Sequence, residues 1–305
     1  MKALFSPLRL RGMEISNRIT VSPMCQYSAT DGSASDWHLM HLGKFAVSGV
    51  GMLVIEATHV EARGRITPGC LGLYSDANEA ALARIVTFCK EHGFARIGMQ
   101  LSHSGRKGSA RLPWEERGAP LTAKDGTWPT VGVSGFPFAE GWPAPTPLDT
   151  AGLETVKTAH VDAARRADRI GIDVIELHAA HGYLLHEFLS PLSNRRNDDY
   201  GGSLQNRIRY VLETFEAVRA VWPDDKPMGT RISATDWIDG GWTLDEAVVL
   251  CRELRALGCD YITVSSGGLS PAQKVPIGEG HQVELAARIR RDADIPVIAV
   301  GMIYR

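Results

Sequence analysis

The 305-residue sequence contains no C-x-x-C pair and no zinc-type cysteine and histidine spacing. Its five cysteines, Cys25, Cys70, Cys89, Cys251 and Cys259, are odd in number, so neither a disulfide framework nor a structural zinc site is expected, and a reducing cytoplasm fits best. No apolar run reaches membrane-spanning length, and the opening MKALFSPLRLRGMEISNRI has none of signal-peptide length, so the chain reads as a soluble intracellular protein. An excess of one charge is missing too. With 33 Lys+Arg against 35 Asp+Glu the formal charge is −2, which argues against nucleic acid or a membrane surface as partner. No G-x-G-x-x-G follows the first apolar run, so the dinucleotide fingerprint of an open, doubly wound sheet is absent. Neither a solenoid-length repeat nor a low-complexity tract interrupts the chain.

What is present is alternation. Short apolar runs at 19–24, 52–57, 96–101, 173–177, 227–232, 261–265 and 296–300 read as seven strands. Helix-length patterns at 37–48, 77–92, 153–170, 204–222, 244–257 and 282–291 separate most of them, giving an α/β order. Thr243 with Glu246 forms a capping box, and Gly93, Gly171 and Gly258 sit just past helix ends. The length and an apolar fraction of 44% suit one domain over 1–305. Polar and aromatic residues recur after strand after strand: Cys25 to Tyr27, Thr58 and His59, His103 to Lys107, His178 to Tyr183, Arg231, and Ser265 to Gly268. A ring of loops at one rim predicts that distribution, so a (β/α)8 barrel is favoured over an open sheet. The stretch 104–150, rich in Gly, Pro and Trp, is too long for an ordinary connection and reads as an excursion, a lid over the barrel mouth.

The densest chemistry lies at 178–183. On a strand ending there, Val174, Glu176 and His178 share one side and Ile175 and Leu177 the other, which points His178 inward at the last position. His181 cannot share that face by strict alternation, so the chain must curl across 179–182, with Gly182 supplying the freedom. Two imidazoles and the Tyr183 phenol at the C-terminal end of a barrel strand are catalytic candidates. A metal pair is the competing reading, but H-x-x-H on a turning strand end offers no obvious carboxylate or third histidine as further ligand. His92 and His160 read as structural, His38 and His41 as a helix face near the site, and Cys70, Cys89, Cys251 and Cys259 as ordinary buried thiols.

Taken in order, NRI at 17–19, SPMCQY at 22–27, EATHV at 56–60, GRITPG at 64–69, QLSHSGRK at 100–107, HAAHGYLLHEFLSPLSNRRNDDYGGS at 178–203, and Asn206 with Arg207 resemble the Old Yellow Enzyme ene-reductases. The resemblance is to their thermophilic-like branch, which carries a cysteine beside the flavin. It implies a (β/α)8 barrel with FMN at its C-terminal rim, NADPH or NADH as reductant, and an α,β-unsaturated carbonyl (enone) or nitro compound as acceptor. It also implies that His178 and His181 donate hydrogen bonds to the acceptor's oxygen, that Tyr183 protonates its α-carbon, and that Tyr27 reaches the substrate. Pro23, Met24, Cys25, Ala57, Gln100, His178, Arg231 and Gly301 are the implied FMN contacts, Lys107 matches a family lysine, and a homo-oligomer is expected. The physical logic is independent of the likeness: hydride addition pushes negative charge onto that oxygen, where two fixed N–H donors stabilise it. Members of the family continue through an eighth strand bearing a Gly-Arg phosphate contact. That strand is therefore expected to be missing here, leaving an open edge between the seventh and first, and the alternative reading is a truncated, catalytically impaired fragment or assembly subunit needing a partner segment. A metal-dependent barrel hydrolase is the third.

Overall fold

Strand and helix alternate through the computed structural model, which describes residues 3–304. A hairpin comes first, β1 (Leu8–Leu10) antiparallel to β2 (Met13–Ile15). There follow β3 (Thr20–Val21), α1 (Asp36–Ala46), β4 (Met52–His59), α2 (Asp76–His92) and β5 (Arg96–Ser102). The 104–150 excursion contains only short pieces, among them β6 (Val131–Gly132) paired with β7 (Thr146–Pro147). Then come α3 (Thr150–Arg169), β8 (Val174–Ala179), α4 (Leu184–Leu189), α5 (Leu204–Arg219), β9 (Met228–Ser233), α6 (Leu244–Ala256), β10 (Tyr261–Ser265), α7 (Val283–Ala293) and β11 (Val297–Ala299).

Seven strands form one parallel sheet in the order β11-β10-β9-β8-β5-β4-β3. Among the described residues the end strands do not pair with each other. They nevertheless line one cavity of about 760 Å³, Thr20 of β3 beside Met52 of β4 and Val297 to Ala299 of β11 all bordering it. The sheet is thus curled into a nearly closed barrel with a seam between β3 and β11, as the parallel strand–helix rhythm requires.

Two apolar populations hold the wall. Met52 and Val54, Val174 and Tyr261 face inward and join Leu10, Met13 and Ile15 of the hairpin in one buried cluster, so the hairpin plugs the end of the barrel where the strands begin. The Tyr261 ring lies over Gly229, where a Cβ would meet it at 2.3 Å; only glycine leaves room. Leu53 and Ile55, Ile97 and Met99, Ile175 and Leu177, and Ile262 and Val264 face outward against the helices. The inward–outward split on β8 is the one expected, with Glu176 and His178 on the Val174 side.

The first and last barrel strands are shorter than expected, 20–21 and 297–299 against 19–24 and 296–300. Each has a neighbour on one side only, so less ladder holds it straight. Strands flanked on both sides run to the rim, β4 reaching His59 instead of Ala57. Helix α4 was not anticipated: all six of its residues are buried, so it shows no amphipathic period. Among the described residues no helix is long and apolar enough to cross a membrane.

Candidate active site

Beyond Ala179 the backbone turns sharply, with His181 at φ 60° and Gly182 at φ 75°. A Cβ on Gly182 would also lie 2.4 Å from the Gly268 carbonyl oxygen, so glycine is required there for conformation and for space. Three backbone groups of the turn are captured by side chains. The His181 N–H donates to Ser233 Oγ at 3.0 Å, the His181 carbonyl accepts from Lys107 Nζ at 2.9 Å, and the Gly182 N–H donates to His186 Nδ1 at 2.9 Å. The result gathers the expected three rings: His178 lies 5.1 Å from His181 and 4.9 Å from Tyr183 between ring centres.

Protonation follows from burial. Desolvation, reinforced by the neighbouring imidazole and the Arg231 cation, holds His178 well below the usual histidine range; His181 is held down by burial, Arg231 and Lys107. Both rings are therefore neutral at pH 7 with one proton each. His178 Nδ1 accepts the Ala180 N–H at 3.2 Å, which puts its proton on Nε2. His181 Nε2 lies 2.7 Å from Ser265 Oγ, whose hydroxyl is also 3.4 Å from Gln282 Oε1; a Ser265 proton directed at His181 leaves the His181 proton on Nδ1. Burial, then the neighbouring Cys25 and Tyr27, push the Tyr183 phenol well up, so it stays protonated. Lys107, lowered to about 8 by burial and Arg106, lies 5.2 Å from the Tyr183 ring centre.

A second set faces the barrel interior on three adjacent strands. Gln100 on β5 donates its Nε2 to Glu176 Oε1 at 2.8 Å, leaving the amide oxygen without a partner among the described residues. His178 on β8 is the register partner of Arg231 on β9. Arg231 is buried and makes no hydrogen bond among the described residues; Glu176, which also accepts from Thr263, is the counter-charge acting on it. A free carbonyl on β5 and an unpartnered guanidinium on β9, either side of His178, match a flat heterocycle edge that alternates N–H with C=O. The pyrimidine edge of the isoalloxazine of FMN has that pattern, so these residues fit the group.

The 22–27 loop supplies the remaining wall. The Gln26 N–H donates to Glu56 Oε2 at 3.1 Å, and Glu56 Oε1 lies 3.3 Å from buried His38 Nε2, so His38 serves as an anchor for this loop. Glu56 sits where the β4–β5 register shifts, which lets a strand residue turn toward the loop. Burial, with Cys70 and Glu56 nearby, pushes the Cys25 thiol well up, keeping it a thiol. Cys25, Tyr27 and Tyr183 pack with Trp142 of the excursion against Ile66, Cys70 and Ala110, and Trp114 meets the Tyr27 ring edge-on at 5.7 Å. Ala57 pairs in register with Gln100, and half-buried Pro23 and exposed Met24 lie just ahead of Cys25. Gly301 stands apart on the seam cavity, at φ 105°.

Tyr183 is the N-cap residue of helix α4, and this helix also governs the excursion. Glu187 accepts the Arg106 N–H at 2.8 Å and the Val133 N–H at 3.2 Å, tying two points of the 104–150 stretch to α4; burial raises its carboxyl to about 7. Among the described residues no cluster of three or more His, Cys, Asp or Glu side chains could hold a metal. The roles of Glu56 and Glu187 escaped the sequence reading, because a lone polar residue in an apolar run carries no periodic signal. Ser265 was visible only as a rim residue, and Glu176 only as sharing the face of His178.

The model of the NADH:flavin oxidoreductase / NADH oxidase family matches residues 3–305. An NADPH dehydrogenase of Geobacillus thermodenitrificans is 43% identical over 98% of this chain and 83% of its own length. Morphinone reductase in complex with tetrahydroNAD superposes with a TM-score of 0.76 at 25% identity, covering 98% of this chain and 86% of that one. The Old Yellow Enzyme homologue of Zymomonas mobilis has a TM-score of 0.81 at 23% identity, covering 99% and 83%, and shows the same fold.

Proposed function

The chain belongs to the NADH:flavin oxidoreductase / NADH oxidase family, as an Old Yellow Enzyme-type, NAD(P)H-dependent oxidoreductase that uses FMN, and from that premise we propose that its acceptor is an activated alkene. The class meant is α,β-unsaturated carbonyl and nitro compounds. The observation that carries this reading is the contact between two neutral imidazoles and a protonated phenol at one strand end.

Bound FMN supplies hydride taken from NAD(P)H. The chain's part is to bind the acceptor and handle charge and protons. His178 Nε2–H and His181 Nδ1–H donate to the acceptor's oxygen, where negative charge grows as the β-carbon is attacked; such donors are worth about 3 kcal/mol each in the transition state. Tyr183 holds its proton for the α-carbon, and burial keeps that proton in place at neutral pH. Arg231, a permanent cation, and the Gln100 amide oxygen would hold the pyrimidine edge of the flavin, while Pro23, Met24, Cys25 and Ala57 would complete the surround of its ring. Tyr27 and Trp142 line the acceptor side, and the 104–150 excursion serves as the lid of a single 1–305 domain. The unpaired thiols suit a reducing cytoplasm. A homo-oligomer is part of the same reading, supported by exposed Trp37, Met40, Phe88 and Phe94 on and beside α1 and α2, and sedimentation will check it.

Stopped-flow measurement of the two half-reactions tests the assignment. The holoenzyme should be reduced by NADPH and reoxidised by cyclohexenone. Tyr183→Phe should leave the first step within about twofold and slow the second by roughly 100-fold or more. Equal losses in both steps would remove the proton-donor role, and reoxidation by oxygen but never by an enone would remove the substrate class.

A further inference from the structure

The turn that carries His181 rests on a buried imidazole–carboxylate pair outside the reacting set. His186 and Asp236 are both fully buried, and His186 Nε2 lies 3.0 Å from Asp236 Oδ1, off the alignment of a hydrogen bond. Asp236 Oδ2 accepts from Ser190 Oγ at 2.6 Å and from the Trp242 N–H at 2.8 Å. Burial opposes ionisation of Asp236, but the His186 imidazole and these two donors outweigh it and hold the carboxyl below its ordinary value. Such a pair is costly to desolvate and is weak evidence for stability as such.

Its geometry has a directional consequence. The Gly182 N–H already points at His186 Nδ1, so that nitrogen must carry a lone pair and the ring proton must sit on Nε2. A carboxylate facing Nε2 selects that tautomer. We propose that His186 and Asp236 are positioning residues for the reaction: the carboxylate fixes which imidazole nitrogen accepts, and that acceptor locks the Gly182 amide and with it the left-handed turn that sets His181 and Tyr183 against His178. The proposal rests on the acceptor-binding role given to these three rings.

Three variants of the FMN-loaded protein separate positioning from stability. In Asp236→Asn the amide can turn its NH2 toward Nε2, which forces the proton to Nδ1 and against the Gly182 N–H without changing volume. In His186→Asn the side-chain oxygen occupies the place of Nδ1 and still accepts from Gly182, while the contact to Asp236 is lost. His186→Leu removes both. Phenol binding is read from the flavin absorbance, and deuterium exchange of the peptide spanning 180–183 is followed alongside thermal melting. Asp236→Asn should bind phenol about tenfold more weakly and exchange about tenfold faster, the size of one lost buried hydrogen bond. His186→Leu should lose at least as much on both readouts. His186→Asn should melt lower yet keep phenol affinity within about threefold, since its acceptor survives. Phenol affinity that merely follows the melting temperature across Asp236→Asn and His186→Asn, or that is unchanged in Asp236→Asn, overturns the proposal, and these two variants decide it even where His186→Leu does not fold. The exchange readout needs no substrate. If wild-type protein protects 180–183 but ignores enones, the substrate assignment has failed and the positioning role has not.

Discussion

At the scale of single residues, burial decides which groups keep their protons. His178, His181 and Tyr183 are neutral at pH 7 because water is removed from them, which is the state the proposed chemistry needs. Arg231 is the exception, a buried cation without a hydrogen-bond partner among the described residues. Arg231→Met should lower the flavin's two-electron potential by about 30 mV or more, the equivalent of about 1.4 kcal/mol, because the reduced anion loses its counter-charge; spectroelectrochemistry of the holoenzyme will read it, and an unchanged or higher value would place the guanidinium elsewhere. Glu61 offers a test of opposite sign in acid. Burial alone would raise its carboxyl, but His103 Nε2 at 2.8 Å and Arg63 hold it at about 2, against an ordinary 4.5. A depressed acid stabilises the fold fully above its unfolded value and loses that contribution as pH falls from about 4.5 toward 2. Glu61→Gln should therefore flatten the acid limb of a melting-temperature profile between those values and leave the neutral region less stable than wild type.

At the scale of elements, the strands that two neighbours hold are the ones the sequence announces. Alternation on Val174 to His178 gave the correct inward face, and the box formed by Thr243 and Glu246 does cap α6. The hairpin β1–β2 was silent because three-residue strands are too short for a period, and α4 because burial on every side erases amphipathicity. Among site residues, positions that end strands or stand in family-like motifs were legible as positions. Their long-range partners were not, such as the Gln26 amide for Glu56 and His181 for Ser265, because partner choice at such range is a property of the folded chain. Close packing between elements gives its own forecast. Gly229→Ala places a methyl within 2.3 Å of the Tyr261 ring, so it should cost about 1–3 kcal/mol of stability, seen as an earlier urea midpoint at unchanged slope.

At the scale of the whole molecule, the wall is strong on one side and weak on the other. Strands β8 and β9 are paired along both edges, whereas β3 and β11 border the seam. Amide exchange should accordingly be slowest in β8 and β9 and measurably faster in β3 and β11; uniform protection around the wall would mean that the seam closes in solution. Helix α4 then has a mechanical meaning for the molecule as a whole. Its first residue follows the Tyr183 phenol and its fourth grips the excursion at Arg106 and Val133, so excursion and phenol are joined through one short helix. On the proposed reading, with the excursion as lid and Tyr183 as acid, raising the flap would tug the phenolic hydroxyl off its station, and the proton would be deliverable only once the mouth had shut.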